Sequence, residues 1–253
     1  MPLLREREAF LLATVETSGG PRLIPYEIRH TRRGRNIRLG LGEQNQVVLK
    51  IPPQGSVRFA LKFLQTQGDW LERQLRKATP VKTLAEHLLA HPRLSGAGRE
   101  FAVTLNFTSA KAFFVHSGKS GEVEFRIPAG EGGEEALLNL LRKFAEEVIP
   151  PQVQDFARQR NLRVSRVNIR DQSSRWGSCS GRGTLSLNWR LVLLPPAIHD
   201  YVLWHELAHL TEMNHSAAFW ELLHHYDPQT AIHDRQLTRS GRVLMRLGRN
   251  RTF

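Results

Sequence analysis

The sequence predicts an α+β protein of two domains. The first is β-rich with one covering helix, and the second is built around a small sheet and a buried helix. Three observations predict this. Residues 9–51 are short β-branched or alternating runs separated by Gly, Pro and Asn. Spacing turns helical after residue 133. A largely apolar helical stretch near residue 205 carries paired histidines. A chain of 253 residues has room for one large domain or two small ones.

The first runs, AFLLATVE, RLIPYEIR, NIRLGL and QVVLKI, read as strands. From Ser56 the apolar positions Val57, Phe59, Ala60, Phe63, Leu64, Trp70, Leu71 and Leu75 keep helical spacing, so 56–78 is expected to form one helix over the sheet, with Gly68 the point at which it would break. Strands are next expected at about 100–107, 111–116 and 122–127. PAGEGG, at 128–133, separates strand-like from helical sequence and sets the expected domains at 1–130 and 131–253. EEALLNLLRKFAEEVIPPQVQDFARQR then gives one or two helices, with Pro150 and Pro151 marking a break or kink. LRVSRVNIR is a strand, and RWGSCSGRGTLSLNWRLVL reads as a hairpin around 181–183. Pro195 and Pro196 are placed to open the next helix.

Lys and Arg outnumber Asp and Glu by 36 to 24, a net charge of +12 that draws the protein to polyanions. The basic residues fall into three knots, Arg32 to Arg35, Arg158 to Arg170 and Arg239 to Arg251. Solvated surface charge is the simplest account of them, and nucleic acid is a compatible partner. The single cysteine, Cys179, excludes an intramolecular disulfide and points to a reducing, cytoplasmic setting. The first twenty residues mix acidic with basic groups and fit neither a signal peptide nor an anchor. No run approaches the roughly 18 apolar residues that span a bilayer, so no membrane partner is expected.

The chemistry concentrates in HDYVLWHELAHLTEMNHSAAFW. His205 and His209 are four apart, which on a helix is about 40° of rotation and ~6 Å of rise, so both imidazoles can converge on one ion. Glu206 beside them can act on a water as general base, so the H-E-x-x-H pattern supplies a Lewis acid and a base together. His215 is the expected third ligand, although on an unbroken helix it would lie ~240° from His209. A turn with Asn214 in the left-handed conformation and Ser216 as the next N-cap would bring it back. Glu212 is the rival, placed too far along a straight helix to share an ion with His205. His224, His225 and His233 read as exposed helix residues. Tyr201, Arg175, His224 and His225 are candidate oxyanion donors, with nothing to select among them. Trp176, Asn188 and Trp189 belong to the cleft or the core, and Cys179 reads as a buried thiol.

HELAHLTEMNHSAAFW, preceded by RDQSSRWGSCSGRGTLSLNWRLVLLPP, resembles the YgjP-like branch of the SprT-like metallopeptidases. YEIRHTRRGRNIRLGL, followed by IPP and FLQTQGDWLERQL, is similar to that branch too, so the likeness spans about 24–78 and 134–226. It implies a zincin-like catalytic domain with an H-E-x-x-H active-site helix. It further implies zinc on His205, His209 and His215, Glu206 as the catalytic glutamate, and protein or peptide substrates. Relatives with this ligand spacing often carry glycine where this chain has Glu212, a departure that bears on the turn. Two other readings stand beside the peptidase: hydrolysis of a non-peptide amide, and a basic nucleic-acid-associated module with a structural zinc. Glu206 counts against the last, because a closed structural site has no use for a base.

Overall fold

The computed structural model describes residues 11–42, 45–78, 82–108, 111–117, 119–130 and 132–249. The expectations for residues 1–10, including the start of the first strand, and for Arg251 lie outside the described residues. The chain is α+β and forms two compact units that divide between residues 81 and 82.

In the first unit, strands β1 (Leu11–Thr17), β2 (Gly20–His30), β3 (Arg38–Leu41) and β4 (Val47–Ile51) form a sheet of order β1-β2-β4-β3. The β2–β4 pairing is parallel and the others are antiparallel. Helices α1 (Val57–Gln65) and α2 (Gly68–Lys77) cover one face, burying Ala60, Leu64 and Leu71 against Val15, Ile24, Leu49 and Ile51. Two helices thus replace the single one expected, and the break falls next to Gly68. A Cβ there would lie 1.8 Å from the carbonyl oxygen of Glu16, so only glycine lets α2 start this close to β1.

The second unit opens with α3 (Leu84–Ala90), where Thr83 and Glu86 form a reciprocal capping box. Next come β5 (Arg93–Gly96), β6 (Arg99–Thr108), β7 (Phe113–Ser117) and β8 (Glu122–Pro128), in sheet order β5-β6-β8-β7. The expected boundary at 128–133 is therefore corrected: β5 to β8 belong to the second unit. Leu94, Phe101, Val123, Phe125 and Ile127 share one core with Leu137, Leu141, Phe144 and Val148 of α4 (Gly133–Gln159). An amphipathic sheet must bury its apolar face, and α4 is what covers it. PAGEGG is a tight strand-to-helix link inside that layer, with Gly133 packed onto the carbonyl of Pro128.

Helix α4 continues through Pro150 and Pro151 without a break. The carbonyls that lose their partners belong to Glu146 and Glu147, both on the exposed face, where water can replace the missing N–H groups. After it, β9 (Arg166–Arg170), β10 (Gly177–Cys179) and β11 (Thr184–Asn188) form a small sheet of order β10-β11-β9. The expected hairpin is β10–β11, turning at Gly183 with φ +75°. A 3-10 turn (Trp189–Leu193) leads into α5 (Pro196–Ala208), with proline at its first position, then α6 (Ala217–Tyr226) and α7 (Thr230–Leu244). Helix α5 buries residues on nearly every side, from Ile198 to Ala208, so it runs through the core and not over it. Among the described residues, no helix is long and apolar enough to cross a membrane.

Candidate metal centre

Helix α5 ends at Ala208, and the chain turns at once. The amides of Leu210 and Thr211 bond to the carbonyls of Leu207 and Ala208, three residues back. This tightening, not a left-handed Asn214, redirects the chain. Asn214 has no positive φ, which corrects the expected turn. Ser216 caps α6 as expected, its side chain accepting from the Phe219 amide at 3.4 Å.

The turn brings His215 back over the end of α5. One ligand atom from each of His205, His209 and His215 lies within 4.8 Å of the others, and the Nε2 atoms of His205 and His215 are 3.0 Å apart. Imidazole nitrogens on one tetrahedral zinc sit roughly 3.4 Å apart, from two ~2.1 Å bonds, so the triad is close to a ligand arrangement. Phe219 of α6 packs against all three rings, stacking on His209 at 4.6 Å and meeting His205 and His215 edge-on at 5.0 and 4.7 Å. This aromatic wall fixes the rings from a direction the motif does not reveal.

The electrostatics suit a cation. Burial, followed by the charges of His209 and His215, pulls His205 down to about 4. Burial also holds His209 below its ordinary value. His205 and His209 therefore resist protonation and keep their lone pairs. His209 Nδ1 lies 3.0 Å from the carbonyl oxygen of Glu212, which can only accept, so Nδ1 carries the proton and Nε2 is left as ligand atom. Glu212 thus contributes its backbone to His209, and its carboxylate is not in the triad.

Glu206, on the turn between the two helix histidines, is 5% exposed, and its Oε2 is buried without a hydrogen-bond partner. Burial pushes its carboxyl up to about 7, opposed by the Arg175 guanidinium. A buried, unpartnered carboxylate oxygen beside three imidazole rings is a polar group awaiting something polar. A divalent ion with a bound water meets both needs, and its charge favours the ionised glutamate. The residues present fit the group.

The strand β10 closes the other side. A Cβ on Gly177 would lie 2.5 Å from Glu206 Oε1 and 2.6 Å from its Cδ, so the strand backbone rests directly on the carboxylate side chain. Asn188, fully buried, holds the loop that leads there: its amide nitrogen donates to the carbonyls of Gln172 (2.8 Å) and Arg175 (3.0 Å), and its backbone N–H to that of Trp176 (2.8 Å). Asn188 Oδ1 accepts from the backbone N–H of Arg190, a fully buried cation paired with Asp171. Cys179, two residues on from Gly177, is half-buried, its thiol pushed up to about 11 by burial and by the charge of Glu206.

Other expectations fare differently. Tyr201 is buried and donates its hydroxyl to Asp234 at 3.0 Å, so it is committed to α7. Arg175 is exposed and electrostatically coupled to Glu206. His224 and His225 are exposed on α6. His233 is not: it is buried, with Nδ1 2.6 Å from Asp227 Oδ2, because α7 packs that face onto the start of its own loop. Trp189 is core, while Trp176 is partly buried against Gly241. Gly177 and Phe219 are the residues that sequence reasoning missed, and nothing local distinguishes them from other strand glycines or core phenylalanines.

A family model for the YgjP-like metallopeptidase domain matches residues 35–240. Among solved structures, "Crystal structure of the metallopeptidase zymogen of Pyrococcus abyssi abylysin" is 26% identical over a match covering 34% of this chain and 90% of that one, with a TM-score of 0.31. No curated protein matches the sequence.

Proposed function

The chain belongs to the YgjP-like metallopeptidase family, and from that premise we propose that it is a zinc-dependent peptidase with His205, His209 and His215 as ligands and Glu206 as general base. One observation carries the reading: three convergent histidine nitrogens beside a buried carboxylate oxygen with no partner of its own. Bound there, zinc supplies a Lewis acid for a carbonyl oxygen and makes a water acidic near neutral pH.

The chain's own residues supply the rest. Glu206 Oε2 accepts a proton as water attacks the scissile carbonyl and returns it to the departing amine. His209 is held in one tautomer by the Glu212 carbonyl, and Phe219 keeps the imidazoles in place. Strand β10 pairs only with β11 among the described strands, and its other edge suits an extended peptide added as a further strand. Arg175, two residues before that strand, is the candidate counter-charge to a developing oxyanion. A reducing, cytoplasmic setting accords with a single unpaired thiol.

Two outcomes test this reading in the wild-type and one altered protein. Hydrolysis of an unfolded protein such as denatured casein should vanish on chelation and return with stoichiometric zinc; activity indifferent to chelation would end the zinc reading. Gly177→Ala should lower kcat/KM by roughly 100-fold, because the new methyl displaces the Glu206 carboxylate by about 1 Å. Thermal melting should move little by comparison. Full activity in that variant would show that β10 does not position the base.

A further inference from the structure

The first unit carries an excess of basic residues. Residues 1–81 hold fourteen Lys and Arg against seven Asp and Glu. Three of the acidic side chains are engaged locally: Glu27 with Arg29, Glu72 with Arg22 and Arg76, and Asp69 with the Ser18 amide. Arg32, Arg33 and Arg35 are exposed and form no ion pair among the described residues, and the same holds for Arg58 and Lys62 on α1.

The three arginines line one groove of about 1170 Å³ with Asn36, Pro52 and Gln54, and no acidic residue lines it. Gly34 takes φ +121°, so the tight turn between Arg33 and Arg35 depends on glycine. Phe59 lines the same groove and is 66% exposed. Helix α1 buries Ala60 and Leu64, so Phe59 is not needed to hold the helix to the sheet. A lone exposed Phe is ordinary, but this one shares a groove with the three loop arginines.

We propose that this groove binds single-stranded nucleic acid, with the guanidinium groups on phosphates and Phe59 as a stacking platform for an unpaired base. Cations that track a backbone beside an exposed aromatic ring are the physical elements of sequence-tolerant single-strand binding. A duplex satisfies the cations but keeps its bases stacked out of reach of Phe59. An acidic peptide also satisfies the cations but brings no planar ring for that face. Binding in this groove requires nothing of the metal centre.

Fluorescence anisotropy of a labelled oligo-dT of about 20 nucleotides with the full chain tests it. Binding is expected at low salt and should weaken as salt rises. Replacing Arg32, Arg33 and Arg35 together by Ala should flatten the slope of log affinity against log salt by about 2, at roughly 0.7 per lost phosphate contact. Phe59→Ala should weaken binding roughly ten-fold or more, and Phe59→Trp should restore it. All four positions are exposed, so the fold should tolerate these changes. No binding at low salt overturns the proposal, as does binding that both variants leave unchanged. Equal affinity for the matching duplex with no effect of Phe59→Ala would make the groove a plain polyanion face. Tighter binding of poly-glutamate would make it a site for acidic peptides.

Discussion

Glu206→Gln is expected to lower hydrolysis of an unfolded protein by roughly 10²- to 10⁴-fold while zinc stays bound. The substitution keeps the shape of the side chain and removes its ability to take a proton. Shape matters here, because Gly177 rests on the carboxylate with no room for a larger group. Stability should not fall. Burial disfavours the charged carboxyl, as its elevation to about 7 shows, and a neutral amide escapes that penalty. Activity, zinc content and thermal melting of the purified variant therefore separate the roles: lost turnover with full zinc and an unchanged melt places the proton transfer on Glu206. Wild-type turnover in this variant would move the base to another residue.

His215→Ala is expected to reduce zinc affinity by more than the roughly 10- to 100-fold that loss of a supporting group costs, and to abolish hydrolysis with it. His215 sits exposed on the turn after α5, so the fold loses little. His205 and His209 remain on the helix, but two imidazoles leave a site without its third neutral donor. Glu212→Ala is the control, because only the backbone carbonyl of Glu212 touches the site. That variant should keep its zinc. Equilibrium dialysis against a zinc buffer measures both, and loss of metal from Glu212→Ala with retention in His215→Ala would reverse the ligand assignment.

The convergence of the three histidines was legible because its geometry is local. A four-residue spacing on a helix fixes the relation of His205 to His209, and a cap at Ser216 signals that the helix must stop before it. The means of stopping was not legible: i to i−3 bonding at Leu210 and Thr211 replaces the expected Asn214 turn, since capping propensities name candidates without choosing the tightest hydrogen-bond pattern. The strand runs and the β10–β11 hairpin could be read from alternation and glycine placement. Helix α3 and strand β5 went unread, being short and only weakly periodic. The domain boundary was misplaced because a Gly-rich link between a strand and its covering helix has the composition of a linker. Only the shared burial of Phe125 and Phe144 reveals that the core runs across it. Gly177 and Phe219 act on the site through contacts between distant segments, which no window of sequence displays.

Zinc K-edge absorption, with elemental analysis on the same wild-type sample, tests the central claim most directly. The expected result is one zinc per chain, bound by three imidazole nitrogens at about 2.0–2.1 Å and one oxygen, with the imidazole count falling in His215→Ala. Substoichiometric zinc after reconstitution, or a shell containing sulfur or lacking three imidazoles, would contradict it.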